Sequence, residues 1–126
     1  MSVQALQKGV RLSPRKVNVV AALVRGRTVA DAVVILENTP RRAALAIKQA
    51  VVSAKANAQH NHNFKPDSLF ITEITVTPGS RLKRYRPAAR GRALRFQRKT
   101  SHIKVIVDGE KRVVKKKIED RAEEKK

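Results

Sequence analysis

Between Gly79 and Val107 the chain carries ten basic side chains and no acidic one: Arg81, Lys83, Arg84, Arg86, Arg90, Arg92, Arg95, Arg98, Lys99 and Lys104. Seven of the ten are arginine, whose planar guanidinium grips a phosphate through two parallel N–H donors and stacks on flat rings, as a lysine ammonium does not. Tyr85 and Phe96 lie inside the run, where an aromatic face can stack on an unpaired base. A solvated loop normally mixes charge signs. Excluding acids over such a length points instead to a polyanionic partner. Pro87-Ala88-Ala89-Arg90-Gly91 supplies a turn whose small residues permit close approach.

Other chemistry finds little support. His60, His62 and His102 have no carboxylate or thiolate at a metal-ligand spacing, and the chain has no cysteine, so neither a metal nor a disulfide framework is expected. Ahead of residue 108 the carboxylates are Asp31, Glu37, Asp67 and Glu73, isolated from one another in sequence, and no glycine-rich phosphate cradle precedes a helix. The expectation is a non-enzymatic protein without cofactors. His60, Asn57 and Asn61 read as polar groups near the end of a long helix, able to cap its carbonyls or touch ribose hydroxyls. His102 falls where the basic run returns to the body.

The whole chain of 126 residues has a net charge of +19, from 29 Lys and Arg against 10 Asp and Glu. Residues 1–107 hold 21 basic and four acidic residues, a net of +17, and residues 108–126 hold eight and six, a net of +2. The charge therefore belongs to the body. Aromatics are only 3%, so the core must be built from Val, Ile, Leu and Ala. No basic-then-apolar leader and no run near the roughly 18 apolar residues of a membrane span is visible. The chain reads as soluble and intracellular.

These residues need elements to position them. Ser13-Pro14 opens a helix with a cap and a proline at its first position. Val17, Val20, Ala21 and Val24 follow at i, i+3, i+4, i+7, and Gly26 ends the run. Thr28 caps a second helix with Val29, Ala32, Val33 and Leu36 inward. Asn38-Thr39-Pro40 is read as opening the longest helix, about 41–62, with Ile47, Ala50, Val51, Ala54 and Ala58 inward. After Asn63-Phe64-Lys65-Pro66-Asp67 the period becomes 2: Leu69, Ile71 and Glu73 alternate with Phe70, Thr72 and Ile74. Ser101 to Val107 mirrors this strand with Ile103, Val105 and Val107 on one face, and Val3 to Val10 is a weaker third strand. The fold class expected is α+β, with three helices packed on a small three-stranded antiparallel sheet and a long protruding β-hairpin arm. The domain is read as residues 1–107, including an arm over about 79–100. Residues 108–126 form a mixed-charge tail, a frayed helix or disorder. The 20 or so residues joining the two long strands exceed an ordinary hairpin loop. If the strands continue outward at about 3.3 Å per residue, the tip stands on the order of 30 Å from the core.

Ser13-Pro14-Arg15-Lys16, the Val24-Arg25-Gly26 helix end, Ser53-Ala54-Lys55-Ala56-Asn57-Ala58-Gln59-His60-Asn61, Leu82-Lys83-Arg84-Tyr85-Arg86-Pro87, Arg90-Gly91-Arg92-Ala93 and Thr100-Ser101-His102-Ile103 occur in this order. In these motifs the chain resembles the twenty-second large-subunit ribosomal protein family, bacterial type, over about residues 3–107. The resemblance implies a three-helix, three-stranded globular domain on the outer surface of the large subunit of a cytoplasmic ribosome. It implies a hairpin that runs inward through large-subunit rRNA to line the nascent-peptide exit tunnel. The partners implied are that rRNA, neighbouring large-subunit proteins and the nascent peptide, with no membrane and no stable homo-oligomer.

On the body, residues and resemblance together assign rRNA contacts to Arg11, Arg15, Lys16, Arg25, Asn57, His60, Asn61 and His102. On the arm they assign them to Arg81, Lys83, Arg84, Tyr85, Arg86, Arg90, Arg92, Arg95, Arg98 and Lys99. The tunnel-lining tip would be Lys83, Arg84, Arg86, Pro87, Ala88, Ala89, Arg90, Gly91 and Arg92. One departure is Ala88, which follows Pro87 where the family usually has arginine.

Two other classes remain to be set against this reading. An architectural DNA-binding protein with a basic β-ribbon arm would carry similar charge, but it calls for a bulky apolar wedge at the arm tip and a dimer seam. Here the tip is Pro87-Ala88-Ala89 and no helix is spare. A membrane-surface binder needs an amphipathic helix with bulky apolar residues opposite its cations, whereas these helices are short and rich in alanine.

Overall fold

The structure, a computed structural model, describes residues 1–113. The segment from 114 onward, most of the tail read above as a frayed helix or disorder, lies outside the described residues. Strand β1 spans Val3–Val10 and is followed by helices α1 (Pro14–Val24), α2 (Val29–Asn38) and α3 (Arg42–His62). Strands β2 (Phe70–Pro87) and β3 (Ala93–Asp108) follow. The sheet is antiparallel throughout, in the order β1-β3-β2. The fold is the expected α+β class.

Each helix buries the stripe its spacing marks out. Val17, Val20, Ala21 and Val24 of α1 and Val29, Ala32 and Leu36 of α2 are buried, with Val33 partly so. Along α3 the inward residues are mostly alanine, which lets the helix lie close against its neighbours. They meet Val3, Ala5, Ile71, Ile74, Ile103, Val105 and Val107 on the inner face of the sheet. Fully burying each Val or Ile contributes about 1.5–3 kcal/mol.

The helix ends differ from expectation at two places. Ser13 sits at the N-cap of α1, but its side chain makes no capping bond, and its carbonyl accepts from the Lys16 and Val17 amides instead. Asn38-Thr39-Pro40 closes α2 rather than opening α3: Thr39 Oγ1 donates to Ile35 O at 2.7 Å and Asn38 Nδ2 to Val34 O at 2.9 Å. Proline then stops the helix because it cannot continue the ladder. Thr28 does cap α2, its hydroxyl accepting from the Asp31 amide.

The alternation along β2 slips by one residue. Ile71 faces Val107 and Glu73 faces Ile106, so Thr72 and Glu73 form a bulge. In consequence Ile71 and Ile74 both enter the core, while Glu73, expected on the inner face, is exposed.

Both edges of the sheet are engaged in part by other elements within the body. The α1–α2 connection binds β2 through Gly26 N to Ile71 O, Ile71 N to Arg27 O and Val29 N to Leu69 O. At the β1 edge, Asn57 Nδ2 of α3 donates to Gln4 O, and the Gln7 side chain donates from Nε2 to Gln49 Oε1. Residues 108–112, read above as the start of the tail, are pinned to the domain. Here the Lys65 amide donates to Glu110 O and the Arg112 amide to Asn63 O. Asn63, with φ 54°, ends α3 in the left-handed conformation that this exit requires.

Candidate nucleic-acid interface

Past Pro78 and Ser101, among the described residues, neither β1 nor any helix accompanies the two long strands, which pair with each other. Their register runs from Arg81 opposite Lys99 to Pro87 opposite Ala93. At about 3.3 Å per residue, Pro78 to Pro87 spans roughly 30 Å. A second bulge at the root, between Pro78 and Arg81, fixes which side chains share a face. Gly79 sits in it. A Cβ there would lie 2.5 Å from Thr100 Oγ1 and 3.1 Å from His102 Cε1, so any other residue would force those side chains to shift. Thr100 Oγ1 donates to Ser80 O at 2.6 Å, locking the crossing.

Strand pairing divides the arm into two faces. One carries Arg81, Lys83, Tyr85 and Pro87 opposite Lys99, Gln97, Arg95 and Ala93. The other carries Leu82, Arg84 and Arg86 opposite Arg98, Phe96 and Leu94. Apart from Arg81 and Lys99, each cation in these pairs stands directly opposite an uncharged residue, which limits repulsion across the ladder. On the second face Phe96 is sandwiched by charge: the Arg86 guanidinium carbon lies 4.9 Å, and that of Arg98 5.4 Å, from the ring centroid. Both contacts are within cation–π range.

The turn is Ala88–Arg92, closed by the Ala88 amide donating to Arg92 O at 2.8 Å. Arg90 has φ 61° and Gly91 φ 68°. A left-handed arginine is an uncommon and costly conformation, and it turns the Arg90 side chain out at the extreme tip, where it is exposed. Lys83, Arg84, Arg86, Pro87, Ala89, Gly91 and Arg92 are exposed too, and Ala88 is half-buried.

The residues singled out on the body have varied surroundings. Arg15 and Lys16 are exposed on the first turn of α1. Arg25 is exposed but tethered to the fold, with Nε donating to Ile74 O at 3.2 Å and Nη2 to Asn18 Oδ1 at 2.6 Å. His102 is likewise engaged, its Nδ1 accepting from the Gly9 amide at 3.1 Å. Asn57 and Asn61 line one shallow hollow with Ser2, Gln4 and His62. His60, on the same helix, is exposed and outside that lining. Arg11 lines a groove of about 230 Å³ together with Lys8 and Arg42. Neither Lys8 nor Arg42 was singled out from the sequence. A signal existed for Arg42: it opens α3, whose first turn has no acid, although a cation at a helix N-terminus is unfavourable without an anion to offset it. Among the described residues, no three His, Asp or Glu side chains are grouped as metal ligands, and no helix is long and apolar enough to cross a membrane.

Residues 5–108 match the model of a protein family described as Ribosomal protein L22p/L17e. The chain belongs to that family. The match takes in the sheet, the helices and the whole arm. Members of the family are structural, non-enzymatic components of the ribosome, and so is this chain. Among curated relatives, a protein of Oceanobacillus iheyensis is 46% identical over 111 residues, covering 88% of this chain and 98% of the relative. One from Herpetosiphon aurantiacus is 47% identical over 108 residues, covering 86% and 96%. One from Clostridium tetani is 47% identical over 107 residues, covering 85% and 96%. Each of the three is named large ribosomal subunit protein uL22.

Proposed function

We propose that this family member resides in the large subunit of the cytoplasmic ribosome, binds large-subunit rRNA, supports assembly, and lines the nascent-peptide exit tunnel with the tip of its arm. The observation that carries the reading is the arm itself: an unaccompanied two-stranded ribbon, bearing cations on both faces and no acid between Gly79 and Val107. A two-stranded ribbon is marginal in water, and this one sets Arg81 directly against Lys99. Folded RNA supplies the counter-charge and packing surface that the ribbon lacks. The body anchors from the outside through Arg11, Arg15 and Lys16. Neighbouring large-subunit proteins and the passing nascent peptide are the remaining partners.

Two experiments test this. Sedimentation should place the protein with large subunits through a moderate salt wash, and its affinity for large-subunit rRNA should fall with salt on a log-log slope steeper than about −4, as six or more phosphate contacts require. A slope near −1, or equal affinity for duplex DNA, refutes rRNA binding as the function. For the tunnel, deleting Leu82-Lys83-Arg84 removes an odd number of residues from β2 and so exchanges the faces of the residues beyond it. Large subunits assembled with that variant should show altered arrest by a stalling peptide. Unchanged arrest with full incorporation removes the tip from the tunnel.

A further inference from the structure

The two arm aromatics are not equivalent. Phe96 already has guanidinium groups over its ring, so its face is occupied and Arg86 and Arg98 are held in place by it. Tyr85 lies on the opposite face and is 68% exposed. Among the described residues no cation sits over its ring. It borders a groove of about 690 Å³ lined also by Lys83, Ala93, Arg95 and Gln97, and by Arg84 and Phe96 at the positions between them on the two strands, a volume within the range of sites that hold a small flat ligand. The register explains the hollow: Tyr85 faces Arg95, with Gln97 and Ala93 on the two diagonals. Ala93 and Pro87 leave the tipward side low, and Gln97 offers an amide donor and acceptor beside the ring.

We propose that this groove is a binding site for one unpaired RNA nucleobase, stacked on Tyr85, with Gln97 at the base edge and Lys83 and Arg95 on the flanking phosphates. The Phe96 face, by contrast, is a guanidinium array gathered on one ring that meets phosphates alone. The inference rests on the RNA-binding reading above and adds which face reads a base. Stacking tolerates any base because each has a π face, so selectivity is for an extruded base over a paired one.

The test uses the full-length protein and an RNA hairpin carrying a single bulged 2-aminopurine, beside the same hairpin with an abasic residue at the bulge. The wild-type protein should prefer the base-bearing hairpin by about tenfold, the scale of one base–aromatic stack, and should quench the 2-aminopurine. Tyr85→Phe should keep the preference and the quench, Tyr85→Leu should abolish both, and Phe96→Leu should weaken binding to both hairpins equally while leaving the preference intact. Equal wild-type affinity for the two hairpins overturns the base site and spares the RNA-binding reading. A preference that survives in Tyr85→Leu, or vanishes only in Phe96→Leu, overturns the assignment of faces. No salt-dependent binding to either hairpin or to large-subunit rRNA overturns both readings together.

Discussion

Gly79→Ala adds one methyl group at the root of the arm, where three local contacts converge. Gly79 does not have a positive φ, so alanine meets no backbone penalty and the whole cost is contact. The new Cβ would stand 2.5 Å from Thr100 Oγ1 and 3.1 Å from His102 Cε1. Thr100 must rotate, which breaks its bond to Ser80 O, and His102 must retreat, which strains the bond from the Gly9 amide. Each such bond is worth about 1 kcal/mol net, and overpacking costs about 1–3 kcal/mol more. A loss of about 2–4 kcal/mol is expected, lowering the melting temperature by some 4 °C per kcal/mol for a chain of this size. Thr100→Ala should cost only about 1 kcal/mol, since it removes one bond. Combined with Gly79→Ala it should recover part of the loss, because it deletes the atom struck first. Urea unfolding of the wild type, both single variants and the double variant measures the coupling. Costs that add to within about 0.5 kcal/mol, or a Gly79→Ala loss below that size, would refute the close-approach argument.

Replacing Arg84, Arg90 and Arg92 together by Ala should flatten the salt slope of rRNA binding by about 2, with the circular dichroism spectrum of the free protein nearly unchanged. A collapsed spectrum would make those arginines structural. In the free protein the amides of residues 81–98 should exchange with solvent rapidly and those of Ile103, Val105 and Val107 slowly, as hydrogen-exchange mass spectrometry would show. Protection across the arm without RNA contradicts the marginal ribbon. His102→Ala should destabilise the body by about 1 kcal/mol through loss of the acceptor for the Gly9 amide, and His102→Asn, whose Oδ1 can take the place of Nδ1, by less. Chemical denaturation compares them, and equal losses would show that the bond to Gly9 contributes nothing.

How much of this was legible in the sequence depends on whether the information was local. Helix stripes and the alternation from Ser101 to Val107 were readable because each follows from one repeat within one segment. The slip at Thr72 and Glu73 was not, since that bulge carries neither glycine nor proline and is defined only against Ile106 on the partner strand. Asn38-Thr39-Pro40 was read at the wrong end because the same residue types that cap the start of a helix also bond back to its last carbonyls. For the site, the exclusion of acids announced the arm, but the sharing of faces depends on the Gly79–Ser80 bulge, and a one-residue shift would exchange the surroundings of Tyr85 and Phe96. Lys8 and Arg42 escaped notice because their groove is assembled from the end of β1 and the start of α3. The intramolecular bonds of Arg25 to Ile74 O and of His102 to the Gly9 amide join residues far apart in the chain and had no local signal.

The arrangement of edges ties stability to the proposed role. Exposed strand edges invite pairing with other chains, and within the body each edge is engaged in part: the α1–α2 connection bonds to β2 and α3 to β1. That engagement stops at Pro78 and Ser101, where the arm begins. From there outward, among the described residues, the protection against edge-to-edge association is charge, and every cation that repels a second copy of the arm is also open to a phosphate. Lysine alone would serve the first purpose. The predominance of arginine, with two guanidinium groups gathered on Phe96, fits the second under the proposed role, because the planar fork loses less conformational freedom per hydrogen bond when it closes on its anion.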